Sequence, residues 1–361
     1  MRITKVRISR VLMPRTDPAW RTASYAATSV DGFFLEVEAG GMTGLGATAA
    51  HPSQISGDDL QRQLEGAVSP ALVGAELYEG AAIRQRLASM NVSTRARVAA
   101  DLALHDLTGR LAGLPCYALW GGRVRTAVEV VRMVGIKTPD ELVPHVRGLV
   151  EEGHSHFKIK VGTGVAEDVE RIARLRSVFG GSIWIGVDGN GAYDVDDATE
   201  LCRKLEPYDV RLVEQPIPAV DIDGLARLTS MSPIPIMADQ NVTDVASALT
   251  ICQKHAAHVV SIKATKMGSI EECRRVAELC LAFGVGVHIG GVAEPALVCM
   301  AQTHLALTMP GIQPECEVGE FQAVSRDPTS PSVTIRDGRL EVGEDAGFGV
   351  VLARVAAVVQ V

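Results

Sequence analysis

Apolar stretches of strand length, each closed by one charged residue, recur through the middle of this chain about every 25 residues, and no other feature restricts its fold as much. Lys160 follows His156-Phe157-Lys158-Ile159, and Asp188 follows Ile183-Trp184-Ile185-Gly186-Val187. Glu214 follows Val210-Arg211-Leu212-Val213, Asp239 follows Ile234-Pro235-Ile236-Met237-Ala238, and Lys263 follows Val259-Val260-Ser261-Ile262. The interval fits one strand plus one crossover helix. Repeated without a break, that unit predicts an α/β fold built on a (β/α)7-8 TIM-like barrel, whose C-terminal strand ends share one mouth. The five charged residues, distant in sequence, would then face one another.

Alternate residues of a strand share a face, so Lys158 and Lys160 point the same way while Phe157, Ile159 and Val161 point the other. Two adjacent ammonium groups destabilise each other, and either a lowered pKa or nearby anions relieves them. Asp188, Glu214 and Asp239 are such anions, and together they would repel unless a cation lay among them. Oxygen ligands alone favour a hard divalent ion, Mg2+ above all, with Mn2+ the alternative. Lys160 and Lys263 would flank that ion. The competing reading of each carboxylate is helix N-capping, common at strand-to-helix turns. His288, alone after an apolar strand, is either a further acid or base or a hydrogen-bonded structural residue.

Lys158-x-Lys160, Asp188-x-Asn190, Glu214-Gln215-Pro216, Ala238-Asp239 and Ile262-Lys263-Ala264-Thr265-Lys266-Met267-Gly268 resemble, in order and spacing, the enolase superfamily and its muconate lactonizing enzyme subgroup. Val37 to Gly46 and Ala99 to Gly109 resemble that family's N-terminal capping domain. The resemblance implies an α+β capping domain over 1–122, a catalytic barrel over 123–318, and a C-terminal segment over 319–361 packing back on the cap. It implies a Mg2+-dependent enzyme that removes the proton α to a substrate carboxylate through a metal-stabilised enediolate. An isomerase (racemase, epimerase or cycloisomerase) is expected, with a dehydratase or a non-catalytic carboxylate-binding protein as alternatives. Asp188, Glu214 and Asp239 are the expected metal ligands, and Lys158, Lys160 and Lys263 the expected catalytic residues.

The family's two capping loops match residues 15–30 and 47–57, which nominates Trp20, Arg21 and His51 for substrate contact. Asn190, Gln240, His288 and Glu317 are nominated around the mouth, and Lys266 as a supporting loop charge. Two positions depart from the family pattern. Gly44-Leu45-Gly46-Ala47 lacks the glutamate relatives carry at Ala47, and Gln240 stands where relatives generally have glutamate, which would favour a lowered pKa at Lys263.

Composition excludes other classes. A formal net charge of -8 and 4% aromatic residues leave no basic or stacking surface for nucleic acid. No apolar stretch is long enough to span a bilayer and no signal core follows the N-terminus, so a cytoplasmic protein without membrane partners is expected. Seven cysteines without close pairing read as small buried hydrophobes in a reducing compartment. The family resemblance adds a homo-oligomer, such as an octamer.

Overall fold

A computed structural model describes residues 1–331 and 333–353. The C-terminal segment read from the sequence therefore extends, over 354–361, beyond the described residues.

The first third begins with an antiparallel sheet, β1 (Ile3–Pro14), β2 (Ser29–Ala39) and β3 (Met42–Ala49). Helices α1 (Gly57–Gln63), α2 (Ser69–Leu72), α3 (Gly80–Ser89), α4 (Thr94–Ala112) and α5 (Cys116–Leu119) follow. Strand alternation divides β2 between two cores. Phe33, Leu35 and Val37 enter an apolar cluster with Leu60, Leu64, Ala99 and Leu107, whereas Phe34 joins the cluster continuous with the barrel. Ala47 is fully buried in that second cluster, so the position that lacks the family glutamate is an apolar wall.

The barrel alternates β4 (Ala127–Val134), α6 (Pro139–Glu151), β5 (His156–Lys160), α7 (Val165–Phe179), β6 (Trp184–Asp188), α8 (Val195–Leu205), β7 (Val210–Glu214) and α9 (Ile222–Met231). It continues through β8 (Ile236–Ala238), α10 (Val245–Gln253), β9 (Val259–Ile262), α11 (Ala264–Met267), α12 (Ile270–Ala282), β10 (Gly286–Ile289), α13 (Ala296–Thr308) and β11 (Glu315–Cys316). Strands β4 to β10 pair in parallel in chain order. Strand β11 closes the ring by pairing with β4, while the Gln313 and Glu317 amides donate to the Val287 and Ile289 carbonyls at 2.7 and 2.8 Å. Side chains of Asp194, Asp221 and Asp244 cap α8, α9 and α10. Asp188, Glu214 and Asp239 are therefore not the caps of the helices that follow them.

The tail divides between the barrel and the cap. β13 (Val333–Arg336) and β14 (Arg339–Val342) form a hairpin, and β14 pairs antiparallel with β4 of the barrel rather than with the cap. Residues after it do reach the cap. The Phe348 amide donates to Asp106 Oδ1 at 2.9 Å, and Arg110 donates to the Val350 carbonyl at 2.6 Å. β12 (Thr329–Pro331) and β15 (Val350–Leu352) pair with each other. No helix among the described residues is long and apolar enough to cross a membrane.

Gly46 shows how closely the cap is packed. A Cβ there would lie 2.0 Å from the Ala99 carbonyl oxygen, so β3 sits on α4 at a separation only glycine allows. Gly46→Ala should lower the stability of the folded chain by roughly 1–3 kcal/mol in chemical denaturation. Gly148→Ala, in α6 with open space around it, should instead be neutral or stabilising by up to about 1 kcal/mol.

Candidate active site

The strand register brings the expected residues together. Lys160 lies opposite Asp188, and Asp188 opposite Glu214, across adjacent parallel strands. Asp239 and Lys263 each occupy the residue just past their strand, β8 and β9. Sharp turns hold these ends in place. Asn190 (φ 48°) donates its amide to Asp188 Oδ1 at 2.9 Å, and its side-chain nitrogen donates to Oδ2 at 3.2 Å. Gln215 adopts φ 36°, a left-handed conformation costly for a residue with a Cβ. Its side-chain oxygen accepts the amides of both Asp239 and Gln240 at 2.9 Å, tying the ends of β7 and β8 together. After β5, buried Asp168 accepts the Gly162 amide at 2.9 Å and fixes the loop beyond Lys160.

All five charged residues are buried or nearly so, and lysines alternate with carboxylates. Lys158 contacts Glu214 and Glu317 and lies 3.7 Å from Asp188 Oδ2, the oxygen that Lys160 also contacts. Lys263 Nζ is 2.9 Å from Asp239 Oδ2, and Lys266 Nζ is 2.7 Å from Oδ1. Of the two ways to relieve adjacent ammonium groups, the structure uses anions. Burial alone would depress Lys158, but Glu214, Glu317 and Asp188 reverse this and hold it well above the usual lysine range. Lys263 behaves likewise. Burial opposes its charge, Asp239 and Glu214 outweigh burial, and the net direction is upward, contrary to the lowering expected from Gln240. The Gln240 side chain is exposed and turned towards Gly191, 3.4 Å from where a Cβ would sit.

The carboxylates are less well matched. Burial and neighbouring Asp188 push Glu214 up to about 7 despite Lys158, and its buried Oε1 has no hydrogen-bond partner. Among the described residues no three acidic, His or Cys side chains close into a ready cage, because each carboxylate is turned onto an ammonium group. The donor set nonetheless fits a divalent cation. It offers oxygen alone, on three neighbouring strand ends, with an orphaned acceptor and a carboxylate short of positive charge.

The other nominated residues divide. His288 Nε2 lies 3.5 Å from Glu317 Oε1, and Glu317 Oε2 accepts the Gly291 amide at 2.6 Å, so both belong to the mouth. Trp20 is buried at the cap side, and His51 accepts from Ser53 and meets the Tyr25 ring edge-on at 4.9 Å. Burial and the charges of Arg95 and Lys263 lower His51 to about 3. Arg21 is not brought in by its side chain, which is exposed; its carbonyl accepts the Ile136 amide at 2.9 Å and seats the loop on the barrel.

Sequence reading missed several buried groups. Glu294 Oε1 accepts from Gln302, whose own side-chain oxygen accepts the Ala264 amide at 2.8 Å, so this pair fixes the backbone next to Lys263. Burial raises Glu294 to about 8. Buried Arg95, in α4, donates to the Ala49 carbonyl and to Gln54 at 2.9 Å and anchors the second capping loop. Glu294 carried a signal, as an acid just past a strand and glycine turn; Arg95 and Gln302, inside helical patterns, carried none.

Residues 141–356 match the family model described as enolase C-terminal domain-like, and residues 3–121 match the mandelate racemase / muconate lactonizing enzyme N-terminal domain. Muconate cycloisomerase 1 of Rhodococcus opacus is 29% identical over 346 residues, covering 93% of each chain. The substrate-liganded L-Ala-D/L-Glu epimerase of Bacillus subtilis superposes with a TM-score of 0.93 at 26% identity, over 98% of this chain and 100% of that one. A dipeptide epimerase of Enterococcus faecalis, complexed with Mg and L-Leu-L-Tyr, gives 0.92 at 28% identity, over 97% and 99%. With barrel, cap and charged mouth in the same order, the chain belongs to the mandelate racemase/muconate lactonizing enzyme family of the enolase superfamily and is an enzyme.

Proposed function

We propose that this enzyme is an isomerase that removes the proton α to a substrate carboxylate and returns one on the opposite face, as a racemase or epimerase does. The observation that carries the reading is the placement of Lys160 and Lys263. Their strands, β5 and β9, are four steps apart in an eight-stranded ring, hence diametrically opposed, with the strands of all three carboxylates between them. Cycloisomerases and epimerases are both among its relatives, and both activities are isomerisations.

Asp188, Glu214 and Asp239 would hold Mg2+. When bound, the ion supplies Lewis-acid stabilisation of the negative charge that develops on the substrate carboxylate. Lys158, held protonated between Glu214 and Glu317, donates a hydrogen bond to a carboxylate oxygen as that charge grows. Of Lys160 and Lys263, the one present as the neutral amine takes the α-proton and the other, as ammonium, delivers a proton from the far side, with roles exchanged in the reverse direction. Asn190 orients Asp188, and Gln215 holds Asp239. His288, beside Glu317, is placed to tune the charge around Lys158.

Each of Asp188→Asn, Glu214→Gln and Asp239→Asn should reduce turnover at least about a hundredfold while leaving circular dichroism unchanged, the size expected when an electrostatic contribution to the transition state is lost. Full activity after exhaustive EDTA treatment would refute the metal assignment.

Deuterium incorporation from D2O, read for each configuration of a carboxylate substrate, tests the two faces. Lys263→Ala should spare exchange of the configuration that faces Lys160, and Lys160→Ala should spare the other, with net turnover lost in both. Exchange surviving in only one variant would identify a cycloisomerase or lyase with a single base, and water loss from a hydroxy acid would single out the lyase. Exchange persisting in the double variant would place the base elsewhere.

A further inference from the structure

A cavity of about 170 Å³ lies between the two capping loops and the turn after β10, with Arg15, Tyr25, His51, Ile55, Val292 and Ala293 on its walls. It adjoins the charged mouth. Val292 and Ala293 directly follow Gly290 and Gly291, and a Cβ on Gly290 would lie 2.5 Å from the Lys263 Cε.

Arg15 is the unexplained group in this wall. It is only 8% exposed, yet among the described residues its guanidinium makes no salt bridge and no hydrogen bond, and its Nε is fully buried without a partner. The guanidinium carbon lies 4.6 Å from the centre of the Trp20 ring, a cation–π contact that supplies no counter-charge. A buried cation without a counter-ion is costly, so proteins pair such groups or reserve them for a ligand. Two of the nearby acids are committed elsewhere. Asp31, also on the cavity wall, pairs with Arg10 at 2.6 Å, and Asp17 pairs with Lys137 at 2.7 Å. Glu320 Oε1 accepts the Met133 amide at 3.1 Å and lies 3.9 Å from Arg132 Nε, while its buried Oε2 has no hydrogen-bond partner and makes no salt bridge to Arg15 among the described residues. The remaining polar groups on the wall suit an anion: His51 is held neutral, and no hydrogen bond engages the Tyr25 hydroxyl among the described residues.

We propose that Arg15 receives a second anionic group on the substrate, so that the preferred substrates are diacids: one carboxylate next to the carbon that loses its proton, the other bound by the guanidinium under the cap. This rests on the mouth being the site of proton removal. The planar fork of arginine suits a carboxylate, and its burial makes the charge matter.

The test compares each diacid with a neutral counterpart in the Mg2+-loaded protein: L-Ala-L-Glu with L-Ala-L-Gln, and cis,cis-muconate with its monomethyl ester. The wild type should favour the diacid in kcat/KM by at least about tenfold, the size expected for one charge-assisted hydrogen bond, mainly through KM. Arg15→Met should bring the ratio within about threefold of one, and Arg15→Lys should retain part of the preference, because a single charge remains. Equal treatment of both partners by the wild type would overturn the proposal. So would an Arg15→Met protein that loses stability and loses activity on both partners equally, since that identifies Arg15 as an internal counter-ion of Glu320. Indole fluorescence gives a readout independent of turnover. Glutarate, but not pentanoate, should perturb Trp20 emission in the wild type and not in Arg15→Met. That result without proton exchange on any probe would sink the isomerase reading and keep the anion receptor, whereas exchange without a diacid preference would do the reverse.

Discussion

Everything at the mouth of this barrel depends on alternation of buried opposite charges. Lys158 alone is shared among Glu214, Glu317 and Asp188, and Asp239 is shared between Lys263 and Lys266. Any one of these charges buried alone would cost several kcal/mol. Held as a network, at the strand ends, they offset much of one another's burial cost. The network is also unbalanced. Glu214, its most crowded carboxylate, is pushed up by burial and by Asp188, and a divalent cation among the three strand-end carboxylates would relieve that crowding.

The cap completes the enclosure from above. Its first loop sits on β4 through the Arg21 carbonyl, and Ala23 comes within 2.7 Å of where a Cβ on Gly162 would be. That glycine, at φ 118°, lets the loop settle directly over the end of the Lys158-Lys160 strand. The second loop is anchored by Arg95 from α4. Specificity and chemistry are thus supplied by different parts of the chain, held in register by backbone contacts rather than by a flexible hinge.

Much of this was legible in the sequence because barrel periodicity is strong: an apolar run, a charged residue at its end, a helix, and the same again. The positions of Asp188, Glu214, Asp239 and Lys263 follow from that rhythm alone. Arg15 was not legible, since an arginine after a proline at a strand end looks like a solvated surface charge until the cap folds over it. Gln302 and Arg95 were hidden for a similar reason. Their importance lies in which amide or carbonyl they reach across the fold, and a single sequence carries no mark of that. The partner of the tail hairpin was not legible, because edge pairing with β4 leaves no local pattern.

Asp106 joins three pieces of the chain that are far apart in sequence. Fully buried in α4, it accepts the Leu45 amide of β3 at 2.7 Å, the Arg110 guanidinium at 2.5 Å, and the Phe348 amide of the tail at 2.9 Å. The tail that it grips has already run along the barrel as the β14 edge strand. Cap and barrel are therefore strapped together at the end remote from the loops. A substrate cannot enter by a hinge-like swing of the whole cap, and admission falls to local movement of the two loops at the other end. Contacts such as Asp17–Lys137 and Arg95–Gln54, which tie those loops down, are then the ones that a gating movement would have to break.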